Sequence, residues 1–567
     1  MGLLKNVRLL RCYAPRNDEN CRKEFKMNKL SFLLLPISSM ILIAGCAGRQ
    51  VHLPIKIGLL ADSQITSPNS TPGCVYRNKD TDKDLEVAIR PPALEHLTAE
   101  VLKISLDKLS EEDDQGGKVD VILYLGDGAN SGGQNEIEQL FEVLTEHREK
   151  TGIPMFMVIG NHDYLGAGNT PNEAERLLLL NRLTVDEPPP VRYNRPLSKY
   201  QVLQKISEFN GDQNYLSPAT MFEYTDNRDS LDESLDHKTG LYLAGHLVYS
   251  VNGENDVEIF LADTSDYQNI PHKPEAMELA VYGWVGSISS KDKSDEKRLA
   301  QIDCYFENNW ALSSPDFRFI ASHYHPDNLD RKRFVNDIPE DIIFELENFV
   351  HGVYETVKSL FGQRFSNQYL NRWLSKSGNN YWLSGHTHRQ VMTKPHQGKV
   401  HVGGILELLT DASFRSVNIG STTDYRAHVV IVEEYVKGKN IRIDKHVGFR
   451  EIPVFDFNER ILKDISAGIS EFGENKRCSE DFQNSDPNFH ELKDMNNEQF
   501  GISIIGLNKQ YQKNYWLKKH TEASVTYLSE FIDWFGGKHP EYDRADVVTC
   551  LAFIAGANEK GEKPREI

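Results

Sequence analysis

"MVIGNHDY", residues 157–164, is a short apolar run of strand type that stops at Gly160 and gives way to Asn161, His162 and Asp163. A tight turn uses Gly and Asn, but it has no need of His and Asp as well. Four other apolar runs end in the same manner. "IKIGLLADSQ" (55–64) ends in Asp62 and Gln64, and "VDVILYLGDGAN" (119–130) breaks at Gly126-Asp127. "FRFIASHYHP" (317–326) ends in His323 and His325, and "YWLSGHTHRQ" (381–390) ends in Gly385-His386 and His388.

Between these runs lie helical patterns. "LEHLTAEVLKISLDKLS" carries apolar residues at helical spacing, and "EIEQLFEVLTEHREKTG" reads as an amphipathic helix closed by Gly152. Strand, helix, strand, helix, strand is the pattern of an α/β sheet. Residues 165–240 interrupt it with "DEPPPVRYNRPLSKY" and "YTDNRDSLDESLDHKTG", a Pro-, Asp- and Arg-rich stretch expected to be an insertion over the rim of the sheet. Strands resume at "VEIFLADTSDY" (257–267), with helices such as "EKRLAQIDCYFENNW" and "NQYLNRWLSKSG" between the later ones. "KVHVGGILEL", "SVNIGSTTDYR" and "HVVIVEEY" then suggest an antiparallel finish. Beyond residue 457, "ASVTYLSEFIDWF" and "RADVVTCLAFIAGA" fit packed helices, so residues 457–567 are read as a small α-rich region.

In open α/β sheets ligands bind beyond the carboxyl ends of the strands, so the five polar tails are expected to converge on one edge. Carboxylates, imidazoles and amide oxygens together suit divalent Mn, Fe, Zn, Co or Ni; all-oxygen sites suit Mg or Ca better. The i, i+2 spacing of Asp62/Gln64 and of His386/His388 suits extended chain, where alternate side chains share a face. The donors outnumber those of one tetrahedral zinc, and two ions bridged by a carboxylate would use them all.

This ordered set resembles the calcineurin-like metallophosphoesterase superfamily, whose blocks run D-x-H, G-D, G-N-H-D/E, H and G-H-x-H. The resemblance covers roughly residues 55–435. It implies an αββα fold, a β-sandwich flanked by helices, and a binuclear centre that cleaves phosphoester bonds. By position, Asp62, Gln64 and His388 would bind one ion, and Asn161, His323 and His386 the other, with Asp127 bridging. His162 would face the leaving group or a phosphoryl oxygen, with Asp163 hydrogen-bonding it and holding its tautomer. A water activated between two cations would attack phosphorus in line. Gln64 stands where most members have His, which points to an altered metal preference. His323 and His325 compete for one ligand position; His323 is favoured because it directly ends the apolar run, leaving His325 for the substrate or the outer shell. Asp263 reads as a turn cap, and Asn418 and Ser421 as fixing the loop after their strand.

The chain has 567 residues, 39% of them hydrophobic, enough for a substantial core. Its formal charge of −19 argues against a broad grip on nucleic acid or on anionic membrane, so the expected partner is a phosphoester substrate held by local positive charge. "MNKLSFLLLPISSMILIAGCAGRQ" has a secretory h-region and closes on Ile43-Ala44-Gly45-Cys46. The tetrapeptide resembles a bacterial lipobox, with Met27 as the start and Cys46 as the lipidated residue; an uncleaved membrane anchor is the alternative. The expected organisation is a leader and signal (1–45), a tether (46–54), the metallophosphoesterase domain (55–456) and the α-rich region (457–567), with the anchored protein at the outer membrane facing the periplasm. Cys74, Cys304, Cys478 and Cys550 form no CxxC pair, and some could join in disulfides. The alternatives to a phosphohydrolase are a non-catalytic scaffold on a degenerate fold, for which Gln64 is the only argument, and action on diesters or nucleotides instead of monoesters.

Overall fold

The computed structural model describes residues 53–66, 75–78, 83–86, 92–111, 118–130, 132–164, 183–184, 197–212, 216–217, 220–231, 241–251, 254–265, 288, 293–310, 315–326, 329, 373, 379–388, 391–392, 396–402, 406–423, 427–434, 441–442, 447–455, 459–479, 495–507 and 521–559. The signal segment with Cys46 lies outside these residues, as do Cys74 and all of "NQYLNRWLSKSG" except Trp373. Two mixed sheets form the fold. The first takes β1 (Ile57–Leu60), β2 (Val121–Tyr124) and β3 (Met155–Met157) in parallel order. The second contains β4 (Thr220–Asp226), β5 (Ala244–Val251), β6 (Glu254–Ala262), β7 (Phe317–Ser322), β8 (Asn379–Ser384) and β9 (Leu406–Asn418). Within it β6 to β9 are parallel neighbours, while β4 and β5 pair antiparallel at one side. The chain then returns to the first sheet: β10 (His428–Glu434) lies antiparallel to β1, and β11 (Val447–Pro453) antiparallel to β10.

Aromatic contacts show the two sheets face to face. Phe156 of β3 stacks on Tyr224 of β4 with ring centroids 5.4 Å apart, and Tyr381 of β8 meets Phe449 of β11 at 6.0 Å. Strands β1, β2 and β7 are buried on both faces along their whole length, which explains why they read as continuous apolar runs. The outward face of the first sheet, including Leu60, Ile122, Tyr124 and Met157, joins one core with α1 (Pro92–Ser110), α2 (Gln134–Thr151) and α3 (Lys199–Gly211). On the second sheet, Phe260, Ile320 and Trp382 pack against Leu299, Ile302 and Phe306 of α4 (Lys293–Trp310). Helix, sheet, sheet, helix is the expected αββα order. As anticipated, α2 closes at Gly152, whose φ of 68° is the left-handed conformation of a helix C-cap.

Two details differ from the sequence reading. The stretch read as an insertion, 165–240, supplies α3 and β4, both part of the sandwich. Ser198 caps α3 in a reciprocal box with Gln201, and Val202, Leu203 and Ile206 bury one face; Pro and Asp elsewhere in the stretch masked that periodicity. The region after residue 457 is helical as expected, with α5 (Glu459–Arg477), α6 (Asn497–Ile505), α7 (Thr521–Lys538) and α8 (Arg544–Glu559). Its buried residues, among them Ile465, Phe500, Phe531, Phe535 and Leu551, belong to the same core as α1 and α2. Among the described residues no disulfide links Cys304, Cys478 and Cys550, and no helix is long and apolar enough to cross a membrane.

Candidate metal centre

The polar tails follow the carboxyl ends of five parallel strands, three in the first sheet (β1, β2, β3) and two in the second (β7, β8). They meet at one rim of the sandwich, not at the edge of a single sheet. Backbone bonds tie the tails together: Asp62 N–H donates to the Gly126 carbonyl (3.0 Å), Gln64 N–H to that of Asp127 (3.0 Å) and Gly385 N–H to that of His323 (3.0 Å).

Among the described residues, five non-glycine residues have positive φ: Asp62 (54°), Gln64 (42°), Asp127 (57°), His386 (74°) and His388 (52°). All five are residues singled out above as ligands. The left-handed region costs an L-residue about 1–2 kcal/mol, and strain of this kind gathers at functional sites. The glycines beside them are dictated by space. A Cβ on Gly126 would lie 2.7 Å from the Gly160 nitrogen and 2.9 Å from His323 Nδ1, and one on Gly385 would lie 2.8 Å from Asp62 Oδ2.

Two groups of potential ligand atoms result, each within 4.8 Å: Asp127 with His323 and His386, and Asp62 with Asp127 and His388. Asp127 is common to both. Asn161 joins the first group, its Oδ1 lying 3.0 Å from His323 Nε2 and 3.1 Å from His386 Nδ1. Gln64 joins the second, its Nε2 lying 3.4 Å from His388 Nε2. His325 instead sits with Nε2 2.8 Å from Ser416 Oγ, so His323 is the histidine the fold brings to the cluster.

The donor set fits cations. Gln64 Oε1 is buried and makes no hydrogen bond, which is costly unless something else satisfies it, and the close contact of Asp127 Oδ2 is an ion pair with His323 Nε2 at 3.2 Å. His323 is fully buried; its Nδ1 donates to the Leu125 carbonyl (2.8 Å), which turns Nε2 toward Asn161 and Asp127. Burial opposes a charged His323, yet the Asp127 carboxylate outweighs it and pushes the imidazole up to about 9. Against burial, His323 and His162 hold Asp127 below the ordinary carboxylate range. Burial and the neighbouring His323 bring His386 down to about 3, and burial lifts Asp62 to about 6. The pocket therefore demands positive charge, which a proton on His323 or a metal ion can supply.

Asp163 requires a correction. It does not orient His162. Its Oδ2 accepts from the backbone N–H of Gly160 (2.8 Å) and Asp127 (3.1 Å), and its Oδ1 from that of Ala129 (2.9 Å). His162 Nδ1 faces the Asn130 carbonyl at 2.6 Å, while its backbone N–H donates to Asp127 Oδ1 at 2.7 Å. A carbonyl only accepts, so that contact places the ring proton on Nδ1.

Asn418 and Ser421, read as fixing the loop after their strand, reach further than that loop: Asn418 Nδ2 donates to Thr387 Oγ1 (2.6 Å) within the G-H-x-H loop, and Ser421 Oγ donates to the carbonyl of Asp62. Thr423, which reaches the same carbonyl, was missed by the sequence reading; a hydroxyl residue after a strand end is too common a signal to single out. Asp263 does receive the N–H of Ser265 as a turn cap would, and it also forms a buried ion pair with Lys199 at 2.8 Å.

A sandwich with two acid–imidazole groups sharing one aspartate at its rim defines a candidate binuclear metalloprotein. The calcineurin-like phosphoesterase family profile matches residues 56–390, more than half of the chain. The chain belongs to that family. Among solved structures, a dimetal phosphatase from Danio rerio is similar at 10% identity and a TM-score of 0.33, over 71% of this chain and 98% of that one. No curated protein matches the chain.

Proposed function

We propose that this chain is a metal-dependent phosphohydrolase that cleaves phosphoester bonds. One observation carries the reading: two ligand groups share Asp127, and Gln64 Oε1 of the same cluster is buried without a hydrogen bond. Asp62, Gln64 and His388 would hold one divalent cation, Asn161, His323 and His386 a second, with Asp127 between them. When bound, such a pair supplies Lewis-acid polarisation of a phosphoryl oxygen and a water of lowered pKa. The Asp62 side offers three oxygen donors and one imidazole, the Asn161 side two of each, so Gln64 shifts its own side toward harder ions. His162 stands outside both groups. With its Nδ1 proton directed at Asn130, Nε2 is the ring atom that would exchange a proton with the leaving oxygen.

The test is metal analysis of the purified protein together with p-nitrophenyl phosphate turnover in added Mn²⁺. Two ions per chain and metal-dependent turnover support the reading. Inactivity with every divalent ion tried, in a chain that takes up none, would leave a scaffold on a phosphoesterase fold. We also infer from the lipobox alone that Cys46 carries a lipid anchor at the outer membrane, facing the periplasm. Palmitate labelling that persists after Cys46→Ser would refute it.

A further inference from the structure

We propose that Ser421 and Thr423 are positioning residues that hold the Asp62–Gln64 turn in its cation-binding shape. The inference rests on the metal reading above and extends it to side chains contributed by the crossover between the sheets. Asp62 and Gln64 both occupy left-handed backbone, at φ 54° and 42°, a conformation that persists only where surrounding structure over-determines it. On one side the turn is held by β2's loop, through the bonds from Asp62 and Gln64 N–H already described and a third from Ile65 N–H to the Gly128 carbonyl (2.6 Å). Those bonds fix the amide groups and leave the carbonyls to be held from elsewhere.

Residues 421–423, which follow β9 of the second sheet and precede β10 of the first, supply that second hold. Thr422 N–H donates to the Ala61 carbonyl at 3.2 Å. Ser421 Oγ donates to the Asp62 carbonyl at 2.7 Å, and Thr423 Oγ1 lies 3.2 Å from that oxygen and 3.3 Å from the Ser63 carbonyl. Thr423 N–H in turn donates to Ser421 Oγ at 3.1 Å, which leaves the hydroxyl proton of Ser421 for Asp62. Three successive carbonyls, 61 to 63, are thus gripped by three successive buried residues. Because the hydroxyls bond the backbone, they act on the ligands through the turn. Without them the carbonyls of residues 62 and 63 can rotate, the left-handed strain relaxes, and the Asp62 carboxylate and Gln64 amide leave their places beside His388.

The consequence is local to one of the two ion positions. Loss of a residue that orients a ligand costs about 10- to 100-fold in metal affinity, so S421A/T423V should weaken the Asp62–Gln64–His388 position by that factor and spare the Asn161–His323–His386 position. The experiment is calorimetric titration of the full metal-free chain with Mn²⁺. Wild type should take two ions. The double variant should take one with unchanged affinity and the second 10- to 100-fold more weakly, and Thr423→Ser, which keeps the hydroxyl, should behave as wild type. Equal weakening at both positions, two unchanged ions, or a Thr423→Ser as poor as Thr423→Val would overturn the proposal. Should the double variant fail to fold, the comparison of Thr423→Val with Thr423→Ser decides by the same criteria. A wild-type chain that binds no divalent ion would overturn the metal reading and this inference with it, whereas two ions in wild type and an unaltered pair in the variants would overturn this inference alone.

Discussion

Nδ1 of His323 lies 2.8 Å from the carbonyl oxygen of Leu125, the residue that carries β2 into the Gly126-Asp127 loop. One hydrogen bond thereby sets the tautomer of a histidine at the end of a strand in the second sheet from the end of a strand in the first. It directs Nε2 at Asp127 Oδ2, 3.2 Å away. Metal-binding histidines are commonly fixed through the other ring nitrogen in this way. Here the fixing group belongs to the backbone that presents the shared aspartate.

A pH dependence follows. With its pKa pushed up to about 9 by Asp127 against the effect of burial, His323 carries a proton at pH 7 in the metal-free chain. A metal needs the Nε2 lone pair, so uptake at pH 7 must expel that proton. Apparent affinity should rise about tenfold per pH unit toward pH 9, and should fall further below pH 6 as the buried Asp62 is also protonated. Titration in buffers of different ionisation enthalpy reads the released proton directly. Uptake with no proton release at pH 7 would show that His323 is not a ligand.

Asp163 should act as a structural brace. Its carboxylate collects the N–H groups of Asp127, Ala129 and Gly160, so Asp163→Ala leaves three buried donors unsatisfied, at roughly 1–3 kcal/mol each. Asp163→Asn should fail as well, since its amide nitrogen turns a donor toward donors. The expected result is a loss of roughly 3 kcal/mol or more in the urea unfolding free energy, together with weaker metal uptake. Unchanged stability in Asp163→Ala would return Asp163 to a role in catalysis alone.

These contrasts show what was legible in the amino-acid order. The ligand set could be read because each ligand follows an apolar run directly, and a strand's end is a local property. Which sheet each strand joins is not local. Nothing in "FRFIASHYHP" says that it lies beside β6 and β8, across the sandwich from β1. The partner of Asp163 was misassigned for the same reason: the adjacent imidazole was the obvious acceptor of its company, whereas two of its three donors come from 34 and 36 residues away. Helix α3 was hidden by composition, its apolar spacing outweighed by the prolines before it.

His162 should separate chemistry from binding. Its contact with Asp127 is made by the backbone N–H, which an alanine keeps, while the ring is held at Asn130. His162→Ala should therefore retain two ions per chain and lose about a hundredfold in turnover, within the range of a general acid. The deficit should be smaller for substrates whose leaving group departs without a proton, such as p-nitrophenolate, than for alkyl phosphates. Metal loss in step with activity would mark the ring as a ligand.

Two glycines offer a matched test of how tightly the centre is built. At Gly152, the cap of α2, an added Cβ meets nothing within 4 Å, so Gly152→Ala carries only the strain of a left-handed alanine, about 1 kcal/mol. At Gly160, between β3 and Asn161, an added Cβ would overlap both the backbone nitrogen and the carboxylate of Asp127. The obstruction is backbone on one side and the shared ligand on the other, and neither can yield without moving the other. Gly160→Ala should displace Asp127 from both ligand groups and abolish uptake of two ions, whereas Gly152→Ala should bind two ions as wild type does while unfolding at slightly lower urea. The measurement is metal content beside a denaturation curve for each variant. A Gly160→Ala protein that keeps both ions would show that Asp127 is not held against Gly160 in the way that joins the two half-sites.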